Sequence, residues 1–363
     1  MTAQQPVLVR PMQPSEGKPI RAIAGRSFPP QAMLVFSLKG HVLVAEVEGQ
    51  PVGGVVLETF AMPRGRRGGV VLWLFVDPEA RGWGAGQALV DASLAFFQEQ
   101  GCTDMFACVE GYNTSSARRW ANAGMGILSP GAQLRRYGLG MLTVWLRTFH
   151  FVDIGHMLWA RPPSETKDRP WLQWWGVVLM NALLIILALW RQKGFGALPW
   201  AAVGLSALMA LVFLGVRSLA TVAAARAQGL AVRYRAWESG FPLGIAIAAA
   251  FGGYYPNPGG FYPDDEDWRY RDLLPKLGPM ALAGAVATLA LWGGIRLWGL
   301  IAAPGAPAPM WYSIARWTGG MMAVVDLLLP GFPLQSFNGR RIWDWKPWVW
   351  GVLAAATAAI LFL

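Results

Sequence analysis

Residues 75–101 read FVDPEARGWGAGQALVDASLAFFQEQG. An apolar strand ends at Asp77-Pro78, a glycine-containing turn follows from Arg81 to Gly86, and an amphipathic helix begins directly after the turn. Glycine leaves the backbone N–H groups of such a turn open to a ligand, and the N–H groups at the start of a helix attract anions. The stretch therefore predicts a strand, a diphosphate-binding turn and a helix over residues 85–100, with a plain tight turn as the alternative.

Short apolar strands and amphipathic helices alternate around this stretch, from residue 7 to about 130. A second helix is expected at 114–123, with Asn113 as its N-cap and Gly124 at its end. A hairpin is expected to turn at Glu48-Gly49-Gln50, because glycine permits the positive φ of a tight turn. Together these elements predict an α/β domain with a mixed central sheet flanked by helices. The expected strands are 7–10, 41–47, 52–60, 69–76 and 105–110.

The rest of the chain has a different composition. Over all 363 residues, 54% are hydrophobic and only 14% are charged, whereas a soluble domain has about 25% charged residues. Several apolar runs come near the length of about 20 residues that spans a bilayer core. They predict an α-helical polytopic membrane domain over 172–363, with four or five spans. The runs are 172–190, 197–216, 277–300 and 347–363, with a less regular fifth at 309–329. The shorter, glycine-rich run 241–255 favours a re-entrant or interfacial element.

Residues 131–171 form a basic, aromatic connector between the two parts, with an interfacial helix expected at 139–150. The N-terminus lacks the pattern of a secretory signal, which places the first domain, residues 1–130, in the cytosol. The basic residues then fall mostly on the inner side of the membrane, as the positive-inside rule requires. We expect an integral protein of a bacterial or archaeal cytoplasmic membrane. The net charge of +10 is explained by this topology, and no motif indicates nucleic acid as a partner.

The chain contains two cysteines and three histidines. Cys102 and Cys108 are too few for a disulfide framework and are expected to be core thiols in a reducing compartment. His150, Asp153 and His156 could share one helical face as metal ligands, but structural histidines at an interface are the commoner case. No metal is therefore expected at these residues.

Residues 7–130 resemble the GNAT N-acetyltransferases, because an Arg-x-x-Gly-x-Gly turn joins a strand to a helix and an Asn-containing helix follows the next strand. In that family the turn binds the pyrophosphate of acetyl-CoA. The resemblance implies that the chain binds acetyl-CoA or another acyl-CoA, with Asn113 near the pantetheine arm. The implied cofactor-binding residues of the strand end and the turn are Val76, Arg81, Gly82, Trp83, Gly84, Ala85, Gly86 and Gln87.

The resemblance is weaker at the catalytic positions. The family often has a tyrosine seven residues after the asparagine as general acid, but this chain has Trp120, and an indole is not a useful proton donor at neutral pH. Trp73 stands at the usual position of the base. Glu58 and Glu110 remain as candidate bases, and each could equally be a solvated carboxylate at a strand edge.

The activity that the resemblance implies is acetyl transfer to an amine of a lipid, a membrane protein or a membrane-associated small molecule. The implied partners are membrane lipid, the amine acceptor and further membrane-protein subunits. The alternative is a catalytically inactive acyl-CoA-binding scaffold, or a subunit of a membrane complex.

The chain from about residue 197 onward resembles the site-2-protease-like membrane metallopeptidases. Where that family has His-Glu-x-x-His, this chain has RSLAT at 217–221, and where the family has Asp-Gly, this chain has Asn338-Gly339. No histidine follows His156, so neither zinc binding nor proteolysis is expected. Arg217 is expected to pair with Asp326 or Glu238, to extend to the membrane interface, or to bind an anionic headgroup or carboxylate.

Overall fold

The computed structural model describes residues 6–151, 154–165, 168–265, 268–302, 307–328, 330–331 and 336–362. Within it the chain forms two compact units, which we call the α/β unit and the helical unit. The α/β unit comprises Met1–Val109, Asn113–His150 and Met157–Lys167, and the helical unit comprises Glu110–Tyr112, Phe151–His156 and Asp168–Leu363. Asp153, which could share a helical face with His150 and His156, lies outside the described residues.

The α/β unit is built on a mixed sheet, as expected. Neighbouring strands from β1 to β4 are antiparallel, β4 and β5 are parallel, and β6 and β7 are antiparallel. Among the described residues the strand order is β1-β2-β3-β4-β5-β7-β6. The strands are β1 (Leu8–Pro11), β2 (His41–Val47), β3 (Gln50–Ala61), β4 (Arg67–Val76), β5 (Asp104–Glu110), β6 (Gly126–Ile127) and β7 (His156–Arg161). The predicted hairpin between β2 and β3 is confirmed, with Glu48 and Gly49 both at positive φ.

Helices cover both faces of this sheet. Phe97 of the third helix packs directly on Gly69 of β4. A Cβ added to Gly69 would lie 2.4 Å from the Phe97 ring. The next residue, Val70, packs instead with Leu128 and Val144. Adjacent residues of a strand point to opposite faces, so these two sets of helices lie on opposite faces. The helices are α1 (Gly17–Ser27), α2 (Pro30–Met33), α3 (Ala85–Glu99), α4 (Thr114–Asn122), α5 (Pro130–Tyr137) and α6 (Met141–Arg147).

The sheet continues beyond residue 130, where the sequence indicated a connector. Strand β7 lies between β5 and β6, and α5 precedes it. A buried carboxylate, Asp104 at the start of β5, holds this region: Arg66 Nε donates to it at 2.9 Å, Arg136 Nη2 at 2.8 Å and the Tyr137 hydroxyl at 3.1 Å. A buried charge needs such partners, and Arg136 and Tyr137 belong to α5. Residues 130–150 and 157–161 therefore pack as part of the α/β unit.

The helical unit contains three helices long and apolar enough to cross a membrane: α7 (Pro170–Gln192), α8 (Trp200–Ala227) and α10 (Tyr270–Ala302). This count applies to the described part of the chain. Two more apolar helices are shorter, and the predicted run 309–329 is an α-helix followed by a π-helical turn at Val324–Leu328. The remaining elements are β8 (Val232–Arg235), α9 (Gly240–Phe251), β9 (Gly260–Pro263), α11 (Met310–Ala323), α12 (Asn338–Trp345) and α13 (Pro347–Phe362).

The glycine-rich run 241–255 becomes α9 and a non-helical segment after it. The side chain of Asn181 on α7 holds this segment. Its Oδ1 accepts hydrogen bonds from the Tyr254 hydroxyl at 2.9 Å and the Asn257 N–H at 3.0 Å, and its Nδ2 donates to the Asn257 carbonyl at 2.9 Å. Non-helical backbone in an apolar environment requires internal partners of this kind.

Arg217 on α8 is buried and paired. Its Nε and Nη2 contact the two carboxylate oxygens of Asp326 at 3.0 and 3.1 Å, and Asn338 Nδ2 donates to the same carboxylate at 2.7 Å. Only 2% of Arg217 is exposed, so the expectation that it extends to the membrane interface is wrong, because a carboxylate neutralises it inside the unit. Among the described residues, no group of three or more His, Cys, Asp and Glu could hold a metal.

Candidate active site

Strands β4 and β5 separate before either strand ends. They pair only from Gly68 opposite Asp104 to Val71 opposite Ala107, although β4 continues to Val76 and β5 to Glu110. The paired residues of both strands are buried. Leu72 and Cys108, which follow them directly, are only partly buried. The two strands thus open a gap at this level of the sheet.

A β-bulge lies at the same level on the other side of β4. Trp73 faces Val56 and Val71 faces Leu57 in β3, which leaves Leu72 without an opposite residue. Beyond the bulge, the Asp77 N–H donates to the Val52 carbonyl of β3 at 2.8 Å. Because N–H directions alternate along a strand, the N–H groups of Val76 and Leu74 point away from β3, toward the gap. Val76 was expected to contribute to the site, whereas Leu74 was missed because a bulge leaves no pattern in the sequence.

The glycine turn has the backbone that the sequence suggested. Gly82 and Gly84 have φ values of +91° and +87°, and the predicted helix α3 begins at Ala85. A Cβ on Gly82 would meet no atom within 4 Å, so the turn is open on that side. Among the described residues, we find no acceptor for the N–H groups of Gly84, Ala85 and Gly86. Free N–H groups at the start of a helix suit the phosphates of a nucleotide carrier.

Arg119 of α4 is an additional cation at this turn. A Cβ on Gly86 would lie 2.8 Å from Arg119 Nε and 3.1 Å from Cζ, so the arginine lies across the start of α3. Its Nη1 donates to the Ser115 carbonyl at 3.1 Å. Burial, and secondly the charge of Arg81, lower the pKa of Arg119. Arg119 and Arg81 therefore converge on the turn, where a diphosphate would relieve their repulsion.

Asn113 is exposed and caps α4. Its Oδ1 accepts from the Ser116 N–H at 3.2 Å and from the Ser115 hydroxyl at 3.1 Å. The predicted cap is confirmed. A contact of Asn113 with pantetheine stays a prediction.

Neither tryptophan at the family's catalytic positions is available for proton transfer. Trp120 is only 2% exposed. Trp73 packs edge-on against Phe28 and Phe36, with ring centroids 5.2 and 5.3 Å away. Both indoles fill the interior of the α/β unit.

The two glutamates predicted as bases have different environments. Glu58 on β3 is partly exposed, and its carboxylate lies 3.2 Å from Arg147 Nη1. Glu110 accepts hydrogen bonds from the Tyr112 N–H at 3.0 Å and the Ser336 hydroxyl at 3.1 Å. Burial raises the pKa of Glu110. Their catalytic role stays a prediction.

Cys108 and His150 form a pair that the sequence did not reveal. The Sγ atom lies 3.4 Å from Nδ1 of the fully buried His150. The His150 N–H donates to the Trp145 carbonyl at 3.0 Å, which fixes the backbone of this residue. The two residues are 42 positions apart, so only the fold brings them together.

Comparison with known proteins finds similarity in the first unit. Residues 19–125 match the model of the acetyltransferase (GNAT) family. Similar solved structures include an IAA acetyltransferase from Bacillus cereus, with 18% identity over 34% of this chain and 79% of that chain, at a TM-score of 0.29. The GNAT family N-acetyltransferase YhbS from Escherichia coli in complex with CoA has 25% identity over 32% of this chain and 69% of that chain, at 0.28.

A third similar structure is Arabidopsis thaliana Naa50 in complex with a bisubstrate analogue, with 13% identity over 43% of this chain and 97% of that chain, at a TM-score of 0.31. No curated protein matches the chain. Residues 19–125 thus match the GNAT acetyltransferase family within a mixed sheet flanked by helices, and a helical region with three long apolar helices among the described residues follows along the chain.

Proposed function

We propose that the chain is a membrane-anchored, acetyl-CoA-dependent N-acetyltransferase that modifies an amine of a lipid, a membrane protein or a membrane-associated small molecule. The observation that carries this proposal is the open turn at Gly82 and Gly84 beside the gap between β4 and β5. Acetyl-CoA supplies the acetyl group as a thioester. The protein supplies anion-binding N–H groups at one end of the gap and strand N–H groups along it.

Each part of the carrier has a matching set of residues. The start of α3 with Arg81 and Arg119 suits the pyrophosphate, because these groups are positive and the backbone donors are free. The N–H groups of Leu74 and Val76 suit an extended pantetheine arm, which can pair with a strand edge. This division of roles also accounts for Gly86, where a side chain would overlap Arg119.

Two carboxylates could accept the proton of the attacking amine. Glu58 is partly exposed but already paired with Arg147. Glu110 has a raised pKa, as a general base working near neutral pH requires, but two donors already bind it. Glu58→Gln and Glu110→Gln variants distinguish them: the base is the residue whose replacement removes the acidic limb of the pH–rate profile, where the rate rises as the carboxyl group loses its proton.

A membrane lipid as partner is supported by an exposed apolar stripe on the α/β unit. Leu139, Leu142 and Leu146 are 83%, 50% and 63% exposed, at near-helical spacing around α6. Residues 126–151 contain arginines but no acidic residue, as suits an anionic membrane surface. An environment-sensitive fluorophore at position 142 or 146 of the full chain in vesicles should be quenched by lipid-borne quenchers, unlike one at Leu34, which is 86% exposed.

The direct test uses the full chain in detergent or vesicles. Calorimetry should detect binding of acetyl-CoA, and incubation with a lipid extract should yield an N-acetylated product. A Gly84→Val variant, whose branched side chain cannot adopt the φ of +87°, should bind neither acetyl-CoA nor CoA. Absence of binding to the unaltered protein would overturn the proposal.

A second candidate function is a catalytically inactive acyl-CoA-binding scaffold or subunit of a membrane complex. The burial of Trp120, which replaces the family's acid, favours it. It predicts bound CoA without turnover on any amine. An N-acetylated product whose formation requires Gly84 would exclude it.

A further inference from the structure

We propose that Cys108 accepts the acetyl group from acetyl-CoA before the amine does, with His150 as its proton acceptor and donor. This inference rests on the proposed function. Its geometric basis is the contact of 3.4 Å between Cys108 Sγ and His150 Nδ1, since a thiol becomes an effective nucleophile beside a base.

The place of Cys108 in the sheet supports this role. It is the first residue of β5 past the paired region, directly after Ala107, and the preceding residues of that strand are buried. Leu72 at the bulge and Cys108 border the same hydrophobic cluster. Cys108 therefore lies where β4 and β5 open, beside the strand N–H groups that suit the pantetheine arm.

The transfer balances without any further reactant. His150 Nδ1 takes the proton of the Cys108 thiol, and Sγ attacks the acetyl carbonyl carbon. The bond from that carbon to the sulfur of CoA breaks, and His150 returns the proton to the departing CoA thiolate. The amine then attacks the acetyl thioester on Cys108, the new amide forms, and the thiol is restored with the proton that the amine loses.

His150 would thus supply the acid that Trp120 does not provide. In direct transfer to an amine, a separate acid must protonate the CoA thiolate, and no tyrosine stands at the position where the family often has one. In transfer to Cys108, one imidazole serves as base and then as acid. The substitution of tyrosine by a buried tryptophan is then compatible with catalysis.

The chain contains its own matched control, because Cys102 is the only other cysteine. Both thiols are partly exposed, but burial raises the pKa of Cys102, and no histidine contact is found for it among the described residues. The full-length protein would be incubated with isotopically labelled acetyl-CoA in the absence of any amine, quenched in acid and analysed by peptide mass spectrometry.

We expect a hydroxylamine-sensitive acetyl group on the peptide of Cys108 in the unaltered protein and in Cys102→Ser, and none in Cys108→Ala. A His150→Gln variant should form the adduct more slowly and without the pH dependence of an imidazole. Calorimetry with CoA checks that each variant remains folded. An amine added to the isolated adduct, with no CoA present, should become N-acetylated.

Three results would contradict the transfer through Cys108, and they show whether the proposed function fails as well. If CoA binds but Cys108 carries no acetyl group while amines are acetylated, the proposed transfer through Cys108, the relay, is wrong and the proposed function stands. If Cys108→Ala acetylates amines as fast as the unaltered protein, the relay is also wrong. If neither CoA nor acetyl-CoA binds, the proposed function itself fails and the relay fails with it.

Discussion

Replacing Gly86 by alanine tests the assignment of Arg119 to the carrier site. The added Cβ would lie 2.8 Å from Arg119 Nε, a distance that ordinary Cβ atoms do not reach. The overlapping atoms belong to the far end of a flexible side chain, so the guanidinium can move while the backbone stays in place. We therefore expect Gly86→Ala to displace Arg119 from the turn without unfolding α3.

The expected magnitudes differ for binding and for stability. A hydrogen bond to a charged group contributes about 1.5–3 kcal/mol, and the lower figure applies to a partly exposed pair, so acetyl-CoA should bind roughly tenfold more weakly. Alanine is favoured over glycine within helices by up to about 1 kcal/mol, which offsets the side-chain rearrangement. The unfolding midpoint should therefore stay close to that of the unaltered protein.

Isothermal titration calorimetry of Gly86→Ala, Arg119→Ala and the double variant completes the test. If Gly86 acts through Arg119, the double variant should bind no more weakly than Arg119→Ala alone. Dephospho-CoA used in parallel distinguishes the pyrophosphate from the 3′-phosphate as the group that Arg119 contacts. The reasoning is refuted if Arg119→Ala binds acetyl-CoA normally, or if the losses of the single variants simply add.

Further predictions concern stability. Arg217→Met would leave the Asp326 carboxylate buried without its cation, at a cost of about 3–5 kcal/mol, and Asp326→Leu added to it should recover most of the folded protein in detergent. The hydrogen bond from Arg10 lowers the pKa of Glu16 from 4.5 to about 2, so its stabilising contribution is present above pH 4.5 and lost as the pH falls toward 2. Acid unfolding of Glu16→Gln, followed by tryptophan fluorescence, should show a shallower dependence over that range. Asn113→Ala should destabilise α4 by about 1 kcal/mol, measurable as faster amide exchange in its first turn.

Local features of the α/β unit were predictable from sequence. The alternation of apolar residues, the glycine turn and the capping asparagine depend on neighbours in the chain, and the bounds of β4, α3 and α4 follow from them. Strand β7 was missed because its six residues, HMLWAR, come after a basic, aromatic stretch that has no strand pattern of its own.

The contacts that complete the site could not be predicted. Arg119 meets Gly86, and His150 meets Cys108, only after strands and helices have packed, and one sequence carries no signal for such pairs. The partner of Arg217 shows the same limit. The sequence offered Asp326 and Glu238 as possible partners, and the fold places Asp326 in contact through a π-helical turn that no apolar periodicity indicates.

The buried carboxylate at the start of β5 determines where the α/β unit can be cut from the chain to give a free-standing domain. A fragment ending at residue 130 would lose Arg136 and Tyr137, so Asp104 would keep only part of its hydrogen-bonded shell. The same cut would uncover Phe106 by removing Val144 and Leu158. A fragment that retains the chain through Arg161 keeps these groups, and we expect aggregation of the shorter fragment where the longer one remains dispersed.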